Sequence, residues 1–463
     1  MSLKFLAILL PIAIFCFPFI NNEYLYIDDF NRASSGTYAW TADGRPFADL
    51  IYWIFNFGGK AIISFPYTII ISLIGFIFVI HKICENNKLG YIFCIGLTFL
   101  IVNPYFSQPM LYKYDSFIMV SAITITASCF IRHDKIWILL SVPLLVLSIG
   151  TYQTSLLLYI VLSCLEFVYT RKLGERYSLK LISRRILIVI LSFFIYKLLL
   201  LFIKLSNYAE IHAKTIFSGS PEQFIQNVRG FIALMNSATS SFKLSTIVIV
   251  LLITSITSIT IDSINNRNKE YIYRYSIILM GCSFISFASC FGGLSLLLLN
   301  PVFEPRVMTA SYISAFYLII TSTLIFKDRV GLILVGALSL FSFYVSSAIS
   351  FAYKEQSKFN DNIYRGIIEI TNADVIYSSY FIGQPRKSQF VELIEHKIPM
   401  SEKINFFYFN NDLFSDTTLI YHGVKSYTKN NFHYQDSPPC EKRSENAFVK
   451  ACVSGKNLFV RFK

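Results

Sequence analysis

Two carboxylates and a guanidinium, Asp28, Asp29 and Arg32, stand together just past the first apolar run of the chain, and Trp40, Asp43, Gly44 and Arg45 follow in the same loop. Adjacent like charges at the edge of an apolar phase repel each other and lose solvation. At least one carboxyl is therefore expected to titrate high and to serve as a general base. Acids followed by basic residues suit a cleft that deprotonates a hydroxyl and holds a phosphate at the same time. The plainer reading is that Asp29 caps a short helix through Phe30–Ser34. Two acids sharing a loop with Arg32 and Arg45 favour chemistry over capping.

Three further groups have the same double character. Lys113, Tyr114 and Asp115 open an apolar helix. Lys113 there could meet a phosphate and Asp115 orient a base or a sugar; alternatively, Asp115 caps the helix and Lys113 lies among head groups. Tyr152 and Gln153 follow Gly150 in a very short loop, where Gln153 can bond a sugar or satisfy a helix end. Pro301 and Pro305 fix a turn that projects Arg306 beside Glu304. Arg306 suits bidentate binding of a lipid phosphate, or it pairs with Glu304 as an anchor. Lys197 lies inside an apolar segment, where it snorkels or pairs with Glu166, and is left outside the site. His212 and His422 are read as surface residues.

The elements that position these groups are membrane helices. The 463 residues are 54% hydrophobic and only 15% charged, with mean hydropathy +0.54, whereas a soluble domain carries about 25% charged residues. Apolar runs at 4–20, 61–81, 90–103, 115–131, 136–150, 155–170, 186–206, 245–261, 273–298, 307–326 and 330–351 predict a mainly α, polytopic bundle of about eleven spans over residues 1–351. The run Phe5–Ile20 lacks a small-residue cleavage site and reads as a retained helix. Lys and Arg concentrate in alternate loops, among them Lys82, Lys88, Arg171 and Lys172. That bias puts the N-terminus in the cytoplasm and the acidic loop outside it. Outer loops are expected at 21–60, containing an amphipathic helix at Phe47–Phe57, and at 205–244.

Residues 352–463 change composition and read as a small extracytoplasmic α/β domain, with a helix at Asn362–Ile370 and strands at Val375–Phe381, Asn405–Phe409 and Leu458–Phe462. Among nine cysteines, Cys440 and Cys452 are the pair in this tail; outside the cytoplasm they form a disulfide worth about 3 kcal/mol. The net charge of +13 is a topology signal rather than a nucleic-acid footprint, because no basic patch with interleaved aromatics is present. Walker, dinucleotide, HExxH and CxxC motifs are absent from the sequence.

Taken together, Asp28-Asp29-x-x-Arg32, Trp40-x-x-x-Gly44-Arg45-Pro46, Tyr114-Asp115, Tyr152-Gln153 and Pro305-Arg306 resemble the Gtr-type glucosyltransferases. These serotype-converting enzymes, often carried by temperate bacteriophages, form the glucosyl transferase II family. The opening loop is the most specific part of the likeness. The resemblance implies a GT-C-like helical fold in the bacterial inner membrane with its site on the periplasmic face. It further implies transfer of glucose from undecaprenyl-phosphate-glucose to a sugar of the lipid-linked O-antigen. An acid of the first outer loop is the base in that type, a role carried to Asp28 or Asp29, with the balance toward Asp28. Arg45 and Arg306, with Arg32 and Lys113, would stabilise the departing lipid phosphate in a single displacement. Some GT-C enzymes use a divalent metal, which the loop acids could bind, although nothing in the sequence requires one. An O-antigen polymerase would instead concentrate basic residues in large outer loops. A flippase for lipid-linked sugars would carry polar residues toward the midplane of its spans.

Overall fold

The computed structural model describes residues 2–170, 175–212, 221–265, 270–324, 328–371, 375–376, 378–383, 385–404, 418–422, 424–426, 440–447 and 449–463. Helix α1 (Leu3–Ile20) begins where the Ser2 hydroxyl accepts the Phe5 N–H at 3.2 Å, satisfying one of the donors a helix start leaves open. Two short helices follow in the loop after α1, α2 (Asp28–Ser35) and α3 (Pro46–Phe55), then α4 (Tyr67–Asn86), α5 (Tyr91–Leu97), α6 (Ser107–Leu111), α7 (Asp115–Ser128), α8 (Lys135–Ile149) and α9 (Ser155–Tyr169). The next group is α10 (Glu175–Leu200), α11 (Asn207–His212), α12 (Pro221–Asn236), α13 (Leu244–Asn265), α14 (Glu270–Cys290), α15 (Ser311–Ser322) and α16 (Asp328–Thr371).

Every expected apolar run contains helix, but not every run is long enough. Five segments have the length and composition to cross a membrane: Leu3–Ile20, Tyr67–Asn86, Tyr91–Leu111, Leu244–Asn265 and Arg329–Thr371. Apolar helices such as α7, α8 and α9 have only 14 or 15 residues, which is about 22 Å against a hydrocarbon core of about 30 Å. The figure of eleven therefore rests on hydropathy alone. The expected span at 90–103 is broken: Asn103 leaves the helix in an extended conformation, and its side chain accepts the Phe106 N–H at 2.9 Å to start a new turn at Pro104.

Packing organises these helices into two groups. In the first, α1 lies on α4, α5 and α16, and α7 lies on α4, α8 and α9; in the second, α13, α14 and α15 pack together, with α14 and α15 touching α9. At one end of the bundle Glu166 is buried in a bidentate pair with Arg185, at 2.7 and 2.8 Å, with the His133 ring at 2.9 Å. The alternative that Lys197 pairs with Glu166 is thereby corrected, since Lys197 lies over the Phe193 ring at 5.6 Å.

Helix α16 runs through position 351 without a break, because neither Gly nor Pro occurs between Ala337 and Arg365. Ile363, Ile367 and Ile370, spaced to fall on one face, pack against Val449, Ala451, Val453, Leu458 and Val460 of a sheet. The strands are β1 (Val375–Ile376), β2 (Ser378–Ile382), β3 (Lys425–Ser426), β4 (Lys442–Glu445), β5 (Val449–Ser454) and β6 (Asn457–Phe462). The four-stranded sheet has the order β2-β6-β5-β4, with β2 parallel to β6 and the other pairs antiparallel; β1 and β3 form a separate parallel pair. Cys440 and Cys452 are joined, with Cα atoms 5.5 Å apart. The expected helix at 362–370 is the end of α16, and the strand expected at 375–381 is divided between β1 and β2. The strand expected at 405–409 lies outside the described residues. Helices α17 (Gln389–Lys397) and α18 (Met400–Ile404) tie this part to the bundle, through Met400 N–H to Ser237 O at 2.6 Å and the Tyr26 hydroxyl to Ile404 O at 2.9 Å.

Candidate active site

The polar residues singled out in the bundle portion converge on its other end, where α1 stops and α2, α3, α7 and α9 start. Asp29 is fully buried, and both of its oxygens are engaged. Oδ2 accepts from the Tyr26 N–H at 3.1 Å and the Lys113 N–H at 2.7 Å, and Oδ1 from the Tyr114 N–H at 3.2 Å. Asp29 thus fastens the loop after α1 to the start of α7 rather than capping its own helix. Burial pushes its carboxyl up to about 7, against the opposing pull of these donors and of Arg32. Ile27, just before it, sits at φ 43° and ψ −105°, a conformation that a β-branched residue rarely adopts. Such strain persists where surrounding contacts over-determine it, and the Asp29 bonds supply those contacts.

Asp28 is different. It is half-buried, and among the described residues its carboxylate has neither a hydrogen bond nor an ion pair. Burial raises its pKa and Asp115 adds to the rise, while Arg32, Arg306 and Arg45 lower it. Asp28 is therefore the uncommitted acid of the pair, within the field of three guanidinium groups.

Arg32 and Asp115 form the floor. Their nearest atoms are 3.5 Å apart, the Trp40 indole N–H donates to Asp115 Oδ1, and the Arg32 guanidinium lies 4.4 Å from the Trp40 ring centre. Burial opposes the charge on Arg32, yet Asp115, Asp28 and Asp29 together raise its pKa. Asp115 Oδ2 and Arg32 Nη1 are buried without hydrogen-bond partners among the described residues. Unsatisfied buried groups of this kind are costly unless a ligand completes them.

The wall carrying Arg45 is a tight turn. Gly44 adopts φ 75°, which only glycine takes freely, and Asp49 accepts the Trp40 and Thr41 N–H groups at 3.1 and 2.8 Å. Gln153 Nε2 donates to Asp43 O at 3.0 Å, the Tyr196 hydroxyl donates to Gly44 O at 2.9 Å, and Ser206 bonds Asp43 Oδ1 at 3.0 Å. Arg45 itself rests 3.6 Å from Asp43. On the opposite wall Arg306 pairs with Glu304 at 2.7 Å and donates to the Tyr112 hydroxyl at 3.2 Å; its own N–H is held by Gln108 at 3.1 Å and its carbonyl by the Tyr152 hydroxyl at 2.7 Å.

Tyr152 and Gln153 thus brace the two arginine-bearing walls through main-chain carbonyls. Lys113 turns inward, its ammonium bonded to Phe19 O at 3.3 Å and to Asn22 O, over the Phe65 ring at 4.0 Å. Burial lowers it to about 8, so it closes the end of α1 and is not aimed at the cleft. Trp40 appeared in the sequence only as part of a motif, and Gln108 and Tyr112 did not stand out. A glutamine within an otherwise apolar run was the one available sign of Gln108. Among the described residues no three His, Cys, Asp or Glu side chains are grouped to hold a metal ion. Of these acids, Asp29 has both oxygens taken by N–H groups, and Asp115 Oδ1 is held by the Trp40 indole and lies near Arg32.

A helical bundle with an acidic and arginine-rich cleft at the ends of its helices agrees with what the comparisons find. Residues 17–322 match the family described as Glucosyl transferase GtrII, and the chain belongs to that family. It is also 30% identical over 166 residues to the protein of Salmonella phage P22 described as "Uncharacterized 55.3 kDa protein in gtrB 5'region", covering 34% of each chain. The chain thus spans about a third of the length of that curated relative. No solved structure matches the chain.

Proposed function

We propose that the chain is an inner-membrane glucosyltransferase that moves glucose from undecaprenyl-phosphate-glucose to a sugar of the lipid-linked O-antigen at the periplasmic face. The observation that carries the mechanism is the division of labour within the acid pair. Asp29 is held by three N–H donors, whereas Asp28 has no hydrogen-bond or ion-pair partner among the described residues and stands in the field of Arg32, Arg45 and Arg306. Asp28 takes the proton of the acceptor hydroxyl as that oxygen attacks the anomeric carbon. The bond from that carbon to the phosphate oxygen breaks, and the departing lipid phosphate is stabilised by Arg45 and Arg306, whose guanidinium donors exceed those used by Asp43, Glu304 and Tyr112. Asp115 Oδ2 is left to accept a hydroxyl of the bound sugar. Lys113 keeps a positioning role only. Support comes from membership of the family and from the apolar helices that would set the cleft at a membrane surface.

The test is transfer of radiolabelled glucose from undecaprenyl-phosphate-glucose to lipid-linked O-antigen in membranes carrying wild type or Asp28→Asn at equal protein level. Loss of a positioned base costs about 10²- to 10⁴-fold in rate. A variant that retains wild-type transfer removes Asp28 from the mechanism, and a wild type without transfer removes the reaction.

A further inference from the structure

A cavity of about 410 Å³ opens on the other side of α2, between that helix, α16 and the tail. Phe30 lines it. Phe30 and Asp28 are two residues apart on a helix and so point to roughly opposite faces. The cavity is therefore separated from the proposed base by the thickness of one helix, about 10 Å.

Its lining combines flat rings with neutral and acidic polar groups. Tyr421 packs against Phe30 with ring centres 5.4 Å apart and is 45% exposed, so one large ring remains open to a ligand. His422, expected at the surface, is half-buried and stacks on Tyr364 at 4.3 Å with 25° between the planes. Burial lowers its pKa, which keeps the ring neutral. Asn360 is 3% exposed; its side-chain oxygen accepts from Gln356 at 3.0 Å, and its amide hydrogens have no protein partner among the described residues. Among the residues that line it, the acids Glu23 and Asp361 outnumber the one lysine, Lys354. That balance is unsuited to a phosphate. Rings that meet C–H faces, with amide and carboxylate groups that meet hydroxyls, fit a neutral sugar.

We infer that this cavity is a saccharide subsite, holding sugar residues of the acceptor glycan that flank the one being modified. The inference rests on the transferase reading above. It makes α2 a divider, with bond formation on its Asp28 face and acceptor selection on its Phe30 face.

The probe is delipidated O-polysaccharide released by mild acid from lipopolysaccharide of the bacterium that carries this gene. Its binding to full-length protein in nanodiscs is followed by saturation-transfer-difference NMR, using the Asp28→Asn protein so that no turnover intervenes. Tyr421→Ala and Asp361→Asn are each expected to weaken binding at least tenfold. In the transfer assay they should raise the acceptor KM with donor KM and kcat unchanged. Tyr421→Phe keeps the ring and should bind like the parent, which separates loss of the sugar platform from loss of fold. Binding unchanged in both variants, or donor and acceptor KM rising together, overturns the subsite. Normal binding by a wild type that transfers nothing would instead overturn the transferase reading and leave the subsite standing.

Discussion

Replacing Asp29 by asparagine tests whether its role is architectural, and the structure fixes both the size and the pH dependence of the effect. The asparagine oxygen can replace Oδ2 and accept from Tyr26 and Lys113, but its amide group then faces the Tyr114 N–H, donor against donor. Leaving one buried donor unsatisfied costs about 1–3 kcal/mol. Against this runs the cost of ionising a buried acid. The folded-state pKa of Asp29 is about 7, against 3.8 for the free side chain. Between those values the folded state holds a proton that the unfolded state has lost, so the Asp29 contribution to stability is full below pH 3.8 and falls as pH rises through 7. From about pH 5.5 to 7 the wild type loses about 2 kcal/mol that a non-titrating asparagine does not lose.

Asp29→Asn should therefore unfold clearly earlier than wild type at pH 5.5 and nearly together with it at pH 8. Thermal unfolding of detergent-solubilised protein, followed by intrinsic fluorescence, measures the gap at each pH. Asp28→Asn removes no hydrogen bond, so it should start level with wild type at low pH and, because burial also raises the Asp28 pKa, gain on it as pH rises. A gap for Asp29→Asn that stays constant or widens with pH would refute the reasoning. It would mean that the three N–H donors outweigh burial and keep Asp29 ionised.

Two other substitutions probe separate parts of the molecule. Arg306→Lys cannot hold Glu304 and Tyr112 with one fork of donors; donor KM should rise about tenfold, the equivalent of about 1.4 kcal/mol, in glucose-transfer kinetics, and an unchanged donor KM would remove Arg306 from phosphate binding. Glu166→Gln leaves Arg185 charged and buried, at a cost of about 3–5 kcal/mol, read as a lower unfolding temperature, whereas the double variant with Arg185→Met should recover much of it; equal destabilisation in both would show that the pair is not the cause.

The sequence made the site's ingredients legible because charged residues stand out at the ends of apolar runs. Asp28, Arg32, Arg45, Asp115 and Arg306 could be singled out for that reason, and the structure brings them to one end of the bundle. What separates Asp28 from Asp29 was not legible. The distinction depends on the N–H groups of Lys113 and Tyr114, more than 80 residues away, and no property of two adjacent aspartates encodes it. Lys113 misleads for a related reason. A lysine at a helix start looks available for a phosphate, yet the carbonyls of Phe19 and Asn22, left open at the end of α1, hold it first. The boundary at 351 was visible as a change of composition, but composition does not end a helix. Without Gly or Pro to stop it, α16 continues from the bundle onto the tail's sheet, carrying Asn360, Asp361 and Tyr364 to the Phe30 face of α2. The same absence of breakers that hid the join in the sequence gives the two parts a shared rigid element. On the proposed reading, a tail built on that element selects the acceptor for a base on the opposite face of α2.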